Sequence, residues 1–317
     1  ALAAALGGLT ACRLVAGSAA PAVAAAALLP DGCWTAHSWV LLHARLGIDP
    51  TGRVFLLFTS VLWLLSGVYG TRYLGSDPRK GRFYVFYGLA LSGNLALIVA
   101  WDMVSFFPGF AVMSFASYGL VVHSGEPEAL RAGRVYLALV VIGEVLLFSG
   151  LVLVAAEAGA YDLVQPSPSK VPPAALLLLV AGFGIKAGAL PLHVWLPLAH
   201  SAAPTPASAV LSGAMINAGL LGWVRFLAPA APGTEAWGAA LMAAGAAAAF
   251  YGVGVGLTQS NPKTILAYSS ISQMGLITTA FGIALFEPGA SGPALRSVET
   301  YAMHHGFAKG ALFLGVG

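Results

Sequence analysis

Charged residues are scarce in this sequence. Only 9% of the 317 residues are Asp, Glu, Lys or Arg, and 58% are hydrophobic, whereas about 25% of the residues of a typical soluble domain are charged. The net charge is only +3, and the mean hydropathy is +0.84. No basic patch with interleaved aromatic residues occurs, which argues against nucleic-acid binding. The composition predicts an all-α protein whose helices cross the lipid bilayer many times.

Cysteine is nearly absent as well. The two cysteines, Cys12 and Cys33, belong to no C-x-x-C pattern and to no Cys/His cluster. This spacing excludes a zinc site or an iron–sulfur cluster held by this chain alone. The sequence also lacks a glycine-rich nucleotide fingerprint. We therefore expect no cofactor-binding, metal-binding or redox-catalytic residue in this chain.

Apolar runs long enough to cross the hydrocarbon core follow one another along the chain. We predict about ten crossings, with one or two in 1–29 and the rest at 52–71, 84–101, 104–122, 135–156, 174–199, 207–227, 237–258, 265–286 and 298–317. The segment 31–50 is too polar to span, and we expect an extramembrane hairpin or amphipathic cover with His37 and His43 at its surface. The chain begins without Met and begins and ends in apolar runs, so we expect a fragment of a longer protein.

The distribution of cations predicts an orientation, because short cytoplasmic loops are enriched in Lys and Arg. Cations are concentrated in the links 72–83 and 123–134, which we therefore place on the cytoplasmic side of the membrane. We expect a multi-pass protein of the inner (plasma) membrane. The hairpin then lies outside. Arg45 and Arg53 flank it, against the trend.

Three lysines lie in or beside apolar helices: Lys186, Lys263 and Lys309. A cation at bilayer depth costs at least about 2.5–3.5 kcal/mol, so such a residue needs a partner or a function. Burial also penalises the charged form of a lysine, which favours proton exchange. Proton transfer through the membrane is therefore the leading hypothesis. Lys263 heads its helix, where a lysine that reaches the interface is ordinary, so spacing alone gives it little weight.

The run 174–199 is predicted to be a broken helix. Pro191 removes a backbone donor and clashes with the preceding turn, and three nearby glycines loosen the run. Broken membrane helices are tolerated where they are buried in protein or line a wet cavity. Lys186 lies just before the expected break, which favours a functional role. The alternative is a packing kink at Pro191 with Lys186 reaching the interface.

Glu144 lies near the centre of an apolar helix, ten residues after Arg134. A carboxylate and a lysine that approach each other stabilise both charges, and protonation of such a pair responds to anything that separates them. We therefore predict that Glu144 and Lys186 act as a switch. The alternative is a neutral glutamic acid hydrogen-bonded to a neighbouring helix.

The last predicted span carries a file of polar residues. His305 and Lys309 are four residues apart and share one helix face, and Tyr301 lies one turn earlier on the same face. Histidine titrates near neutral pH, so this file could relay protons. His304 points elsewhere. The alternative is that the file binds a lipid headgroup or a partner subunit.

His193 and His200 are seven residues apart, close to two helical turns. No acidic or cysteine ligand accompanies them, so metal binding is not expected. We expect His193 to make a polar contact near the break, and we place His200 at the interface or in the proton pathway.

Three segments carry a resemblance to a known family: KAGALPLHVWLPLAHSAAPTPASAVLSGAM (186–215), NPKTILAYSSISQMG (261–275) and HHGFAKGALFLG (304–315). They resemble the signature segments of the proton-conducting antiporter-like membrane subunits, which are shared by respiratory complex I, Mrp-type antiporters and group 4 hydrogenases. The first segment resembles most closely the hydrogenase-4 and formate hydrogenlyase branch.

This resemblance implies an antiporter-like fold of about fourteen transmembrane helices in two inverted repeats, each with one broken helix. The N-terminal helices and hairpin would occupy 1–50, the first repeat 51–227, and the truncated start of the second 228–317. The resemblance also implies a proton pathway, whose residues would be Glu144, Lys186, Lys263, His305 and Lys309, with lesser candidates His193, His200, Tyr301 and Asp102.

One position departs from the family pattern. The family usually has W-E-x-M-S-x-x-S-Y, and the matching stretch at 110–118 has Ala111 in place of the glutamate that pairs with the broken-helix lysine. Asp102 lies nine residues upstream, at an expected external turn. Lys186 would then have Glu144 as its only obvious partner. Either pumping is re-routed through Glu144, or coupling is impaired.

The resemblance therefore implies a non-redox, proton-translocating membrane subunit of an NADH-quinone oxidoreductase or a membrane-bound hydrogenase. Flavin, iron–sulfur or nickel–iron centres are expected only in partner subunits, and the contacts of this chain are expected to be other membrane subunits, lipid, H⁺ and, in one alternative, Na⁺. That alternative is a secondary cation/proton antiporter. A second alternative is a structural membrane subunit, which Ala111 favours.

Overall fold

The computed structural model describes residues 12–35, 44–158, 172–227 and 233–317. Most of them are helical, so the predicted all-α membrane fold is confirmed. His37 and His43 lie outside the described residues.

Twelve helices are defined here, after a short helical stretch at 12–17. They are α1 (Ala20–Leu28), α2 (Pro50–Tyr73), α3 (Lys80–Val99), α4 (Met103–Val121), α5 (Pro127–Ala158), α6 (Pro173–Ala187), α7 (Trp195–Ala202), α8 (Thr205–Val210), α9 (Ile216–Phe226), α10 (Glu235–Gly256), α11 (Pro262–Phe286) and α12 (Ser291–Val316).

Seven helical spans in the described part of the chain are long and apolar enough to cross a membrane. They are α2, α3, α4, α5, α10, α11 and the continuous span formed by α8 and α9. The predicted spans match these helices to within a few residues, except that α5 begins earlier than expected. Helix α12 is also long enough, but its charged and polar residues keep it outside this group. The protein is therefore a multi-pass membrane protein.

A short antiparallel hairpin interrupts the helices, as predicted for 31–50. It consists of β1 (Gly32–Thr35) and β2 (Arg45–Ile48). The amide of Trp101 donates to the carbonyl of Arg45 at 2.9 Å, and the amide of Arg45 donates to the carboxylate of Asp102. Asp102 also caps α4 by accepting from the amide of Ser105 at 2.8 Å. The hairpin is thus fastened to the turn between α3 and α4.

Glycines set the distance between neighbouring helices. A Cβ atom on Gly93 would lie 2.4 Å from the amide nitrogen of Met113, so α3 and α4 are in backbone contact. Helices α10 and α11 approach in the same way, since a Cβ on Gly245 would lie 2.5 Å from the carbonyl oxygen of Gly275. Small residues allow this close packing between membrane helices, where the hydrophobic effect does not drive association.

The most buried helix of the described chain is formed by α8, a π-helical turn at Leu211–Met215, and α9, and we call it the core helix. It packs against α6, where a Cβ on Gly219 would lie 2.6 Å from the amide nitrogen of Ala187. It also packs against α12, where Gly213 and Gly306 are in similarly close contact. This core helix therefore contacts both α6 and α12.

The predicted break in the run 174–199 is confirmed. Helix α6 ends at Ala187, and Gly188 takes the left-handed conformation (φ 69°) that closes many helices. The chain then unwinds, with a cis peptide bond before Pro191, and restarts as α7. The indole Nε1 of Trp195 donates to the carbonyl of Ile185 at 2.7 Å and so bridges the unwound residues.

A polar pair joins the two loops predicted to be cytoplasmic. The Nε2 atom of His123 lies 2.8 Å from an oxygen of Asp77, and Arg82 donates to the carbonyl of His123 at 2.6 Å. Partial burial raises the pKa of Asp77, but hydrogen bonds from His123 and from the amide of Arg79, together with the charges of these two residues, hold that pKa below its ordinary value.

At the opposite end of α2 lies a buried ion pair that the sequence analysis did not anticipate. Asp49 caps α2 by accepting from the amide of Gly52 at 3.1 Å, and both of its oxygens accept hydrogen bonds from the guanidinium of Arg225 on α9. Arg225 is only 5% exposed. This fork geometry attaches the core helix to the start of α2.

We predict that Asp49→Asn destabilises the protein by about 3–5 kcal/mol, because it leaves the charge of Arg225 buried without a counter-charge while the asparagine can still cap the helix. Denaturant unfolding of the purified chain in detergent measures this loss.

The matched control is Asp31→Asn, which removes the exposed partner of Arg53. It should cost no more than about 1 kcal/mol. Equal losses for the two variants would contradict a special role for the buried pair.

Candidate functional site

Lys186 lies in the last turn of α6 with only 4% of its surface exposed. Its Nζ atom donates a hydrogen bond to the hydroxyl of Tyr136 at 3.2 Å. The same atom lies 5.7 Å from the ring centre of Tyr136 and 6.0 Å from that of Trp195. One hydroxyl and two aromatic faces therefore surround the ammonium group, and both kinds of contact favour a cation.

Tyr136 was not identified from the sequence. It lies on α5, eight residues before Glu144, and therefore near the same helix face. Its hydroxyl donates to the carbonyl of Ser114 on α4 at 3.0 Å while accepting from Lys186. The spacing of eight residues from Glu144 was the sequence feature that could have indicated Tyr136, but a tyrosine in an apolar helix is usually a packing residue.

Glu144 is buried, with 7% of its surface exposed. It interacts electrostatically with Lys186, but the two side chains form no direct ion pair within the described residues. Neither carboxylate oxygen has a hydrogen-bond partner in that part of the chain, and the hydroxyl of Ser114 lies beside it without the geometry of a bond. Among the described residues, Glu144 is the acid that acts on Lys186, but the direct hydrogen bond of Lys186 is to Tyr136.

We call Lys186, Tyr136 and Glu144 the Lys186 group. Ala111 lies on α4 three residues before Ser114, and its methyl group provides no acid there. The carboxylate available to Lys186 is therefore contributed by α5, not by α4.

A second set of titratable residues, which we call the Lys309 group, includes residues of α12, the helix that packs against the π-helical turn of the core helix. Its members are Lys309 and His305 on α12, His200 on α7 and Lys263 on α11. Lys309 and His305 are buried, with 3% and 2% of their surfaces exposed, as expected from their shared helix face. His200 interacts electrostatically with Lys309, Lys263 and His305. The structure thus brings four of the predicted residues together.

The two lysines of this group bind backbone carbonyls. The Nζ atom of Lys309 donates to the carbonyl of Leu266 at 3.0 Å, and that of Lys263 donates to the carbonyl of Ala203 at 2.8 Å. Ala203 follows the end of α7, so Lys263 caps the broken helix. Lys263 therefore makes a specific contact that its position at a helix start did not predict.

His200 is buried within the protein, with none of its surface exposed. Its ring stacks on Phe313 with centres 4.6 Å apart. No ring nitrogen of His200 or His305 has a hydrogen-bond partner among the described side chains and backbone. Buried polar groups are normally satisfied by protein or by ordered water, so these four nitrogens are suited to bind water.

Two serines extend the Lys309 group toward the core helix. The hydroxyl of Ser270 donates to the carbonyl of Leu266, which also accepts from Lys309. The hydroxyl oxygens of Ser270 and Ser212 lie 2.8 Å apart, within hydrogen-bond distance, and Ser212 belongs to the π-helical turn. Both serines lie in the motif segments of the sequence, but their pairing across two helices was not predictable from spacing.

The remaining predicted residues lie apart from these groups. The Nε2 atom of His193 lies 3.3 Å from the hydroxyl of Tyr251, which is the polar contact expected near the break. The hydroxyl of Tyr301 donates to the side chain of Gln273. Asp102 holds the hairpin, as described above. No cluster of three potential metal ligands occurs in the described ranges.

Comparison with known proteins gives a consistent family match. Residues 100–317 match the family described as "NADH:quinone oxidoreductase/Mrp antiporter, TM". The chain is 31% identical over 306 residues to hydrogenase-4 component B of Escherichia coli (strain K12), covering 89% of this chain and 46% of that protein. It is 28% identical over 300 residues to NADH-quinone oxidoreductase subunit M of Rhodobacter capsulatus, covering 89% and 57%. The chain thus spans about half the length of these relatives.

A solved structure shares the fold. A chain of the Mrp complex from Dietzia sp. DQ12-45-1b superposes with a TM-score of 0.82 over 96% of this chain and 58% of that chain, at 23% sequence identity. At this identity the likeness concerns the arrangement of helices.

Proposed function

The chain belongs to the NADH:quinone oxidoreductase/Mrp antiporter membrane family, and from this premise we propose that it moves protons across the bilayer through the Lys186 and Lys309 groups. The chain is an antiporter-like membrane subunit of the kind found in respiratory complexes and Mrp antiporters. The geometry of its buried titratable residues supports proton movement through them.

One observation carries the proposal: two groups of buried titratable side chains lie on helices that include α6 and α12, both of which pack closely against the core helix. Each buried charge at bilayer depth costs at least about 2.5–3.5 kcal/mol. Packing alone would be served better by apolar residues, as the surrounding helices show. Intramembrane titratable residues that face protein instead of lipid typically belong to ion or proton pathways.

The Lys186 group has the features of a proton donor and acceptor pair. The ammonium of Lys186 binds the neutral hydroxyl of Tyr136, and the nearby carboxyl of Glu144 has both oxygens free of direct hydrogen bonds among the described residues. Movement of the lysine side chain from Tyr136 toward Glu144 would strengthen the ion pair and favour both charged forms. Movement back would remove this stabilisation, so that Lys186 would release a proton and Glu144 would take one up. We propose this exchange as the step that Glu144 provides in place of an acid at Ala111.

The Lys309 group would continue the path. The unbonded ring nitrogens of His200 and His305 can bind water, and water-bridged imidazoles pass protons through otherwise apolar surroundings. The hydrogen bond between Ser270 and Ser212 joins α11 to the π-helical turn of the core helix. Residues 51–227 and 228–317 would form the first repeat and the start of the second.

We further propose that electron transfer, if it drives this movement, takes place in partner subunits with flavin, iron–sulfur or nickel–iron centres. The named relatives include a hydrogenase-4 component and an NADH-quinone oxidoreductase subunit, which supports a redox-driven complex of this kind.

Secondary cation/proton antiport is the second candidate, because the solved structural neighbour belongs to an Mrp complex. The two functions differ in one measurement. With the chain in vesicles that carry a preset pH gradient and no electron donor, antiport requires that added Na⁺ collapses the gradient. A redox-driven proton subunit leaves the gradient unchanged under these conditions.

We predict that Glu144→Gln abolishes proton uptake by vesicles that contain the full protein in its complex, because the amide cannot exchange a proton with Lys186. Glu128→Gln is the matched control, since Glu128 is an exposed acid on the same helix, and its uptake should equal that of the unchanged protein. Normal uptake by Glu144→Gln would remove Glu144 from the path and favour a structural role.

His305→Gln is predicted to slow proton uptake about a hundredfold, because glutamine retains hydrogen bonding but cannot accept and release a proton. The control is His304→Gln, which changes the adjacent and exposed histidine of the same helix. A similar loss in both variants, with unchanged unfolding temperature, would show that the effect does not come from the buried ring.

A further inference from the structure

A cavity of about 170 Å³ lies where the helical stretch at 12–17, the end of α2 and the start of α3 meet. Arg13, Arg72 and Lys80 contribute to its wall, one from each of these three elements, together with Thr71 and Tyr84. One water occupies about 30 Å³ of liquid volume, so the cavity has room for a group the size of a phosphate.

The wall of this cavity carries charge of one sign. Its charged residues in the described chain are the three cations, and no carboxylate lines it. Lys80 donates one hydrogen bond to the carbonyl of Gly75 at 2.9 Å, which leaves two donors of its ammonium group for another acceptor. The nearest acid along the chain, Asp77, is paired with His123. The cavity therefore complements an anion.

The same three elements expose apolar side chains deeper in the predicted membrane region. Val68 lies one turn before Arg72 on α2 and is 55% exposed. On the other two elements, Leu14 is 71% exposed and Val85 is 59% exposed. A cationic cavity at the ends of helices with apolar side chains below it matches an amphiphile with an anionic head and fatty chains.

We propose that this cavity binds the phosphate of an anionic phospholipid, with the acyl chains lying along Val68, Val85 and Leu14. The cavity includes part of the link 72–83, which the distribution of cations places on the cytoplasmic side, where basic pockets between helices bind such headgroups. Arginine provides several donors in a planar fork that matches phosphate oxygens. The bound lipid would hold the helical stretch at 12–17 against α2 and α3.

The test compares Arg72→Gln/Lys80→Gln with Arg131→Gln/Arg134→Gln, which removes two exposed cations from the other predicted cytoplasmic link. The full chain in neutral detergent is titrated with phosphatidylglycerol, phosphatidylcholine or inorganic phosphate, and the rise in unfolding temperature gives the apparent affinity. We expect phosphatidylglycerol to stabilise the unchanged protein and the control equally, and to bind Arg72→Gln/Lys80→Gln at least about tenfold more weakly.

Three results would overturn the proposal. Equal phosphatidylglycerol affinity in the two double variants would show that the cavity does not hold the headgroup. If inorganic phosphate stabilises the protein as much as phosphatidylglycerol does, the cavity is a site for the free anion. If phosphatidylcholine stabilises it as much as phosphatidylglycerol does, the cavity does not recognise the negative charge of the lipid. If Arg72→Gln/Lys80→Gln does not fold, Arg13→Gln alone tests the cavity, because it removes an exposed side chain from a different element.

Discussion

A lysine ammonium at bilayer depth needs groups that replace water, and the enclosure of Lys186 determines how four helices are placed. Helix α5 provides the hydroxyl of Tyr136, α4 provides the backbone carbonyl that orients this hydroxyl, and α7 provides the ring of Trp195. Helix α6 must end where it does for the ammonium to reach these groups. A cation that would be costly in lipid is therefore bound by the meeting of several elements.

Much of the fold was predictable because lipid imposes strong rules on sequence. Long apolar runs become helices, since every backbone polar group must be satisfied within the chain. The break in 174–199 was predictable for a similar reason, because Pro191 cannot donate and Gly188 can take the left-handed conformation that ends α6. Burial of Lys186, His305 and Lys309 followed from their depth in apolar runs.

The contacts between helices were not predictable, because helical spacing says which residues share a face but not which face of another helix they meet. Tyr136 instead of Glu144 contacts Lys186 directly, and His200 lies beside the lysines of two other helices. The buried pair of Asp49 and Arg225 joins residues far apart in the sequence. This last pair also depends on Gly52, where a Cβ atom would lie 2.6 Å from an oxygen of Asp49 and 3.0 Å from a guanidinium nitrogen of Arg225.

The bond from Trp195 to Ile185 has a mechanical consequence. It spans the unwound residues and ties the first residue of α7 to the carbonyl immediately before Lys186. The break is therefore held by a side-chain hydrogen bond, and it cannot open without losing this bond. A displacement of α7 would act through Trp195 on the peptide group that joins Ile185 to Lys186.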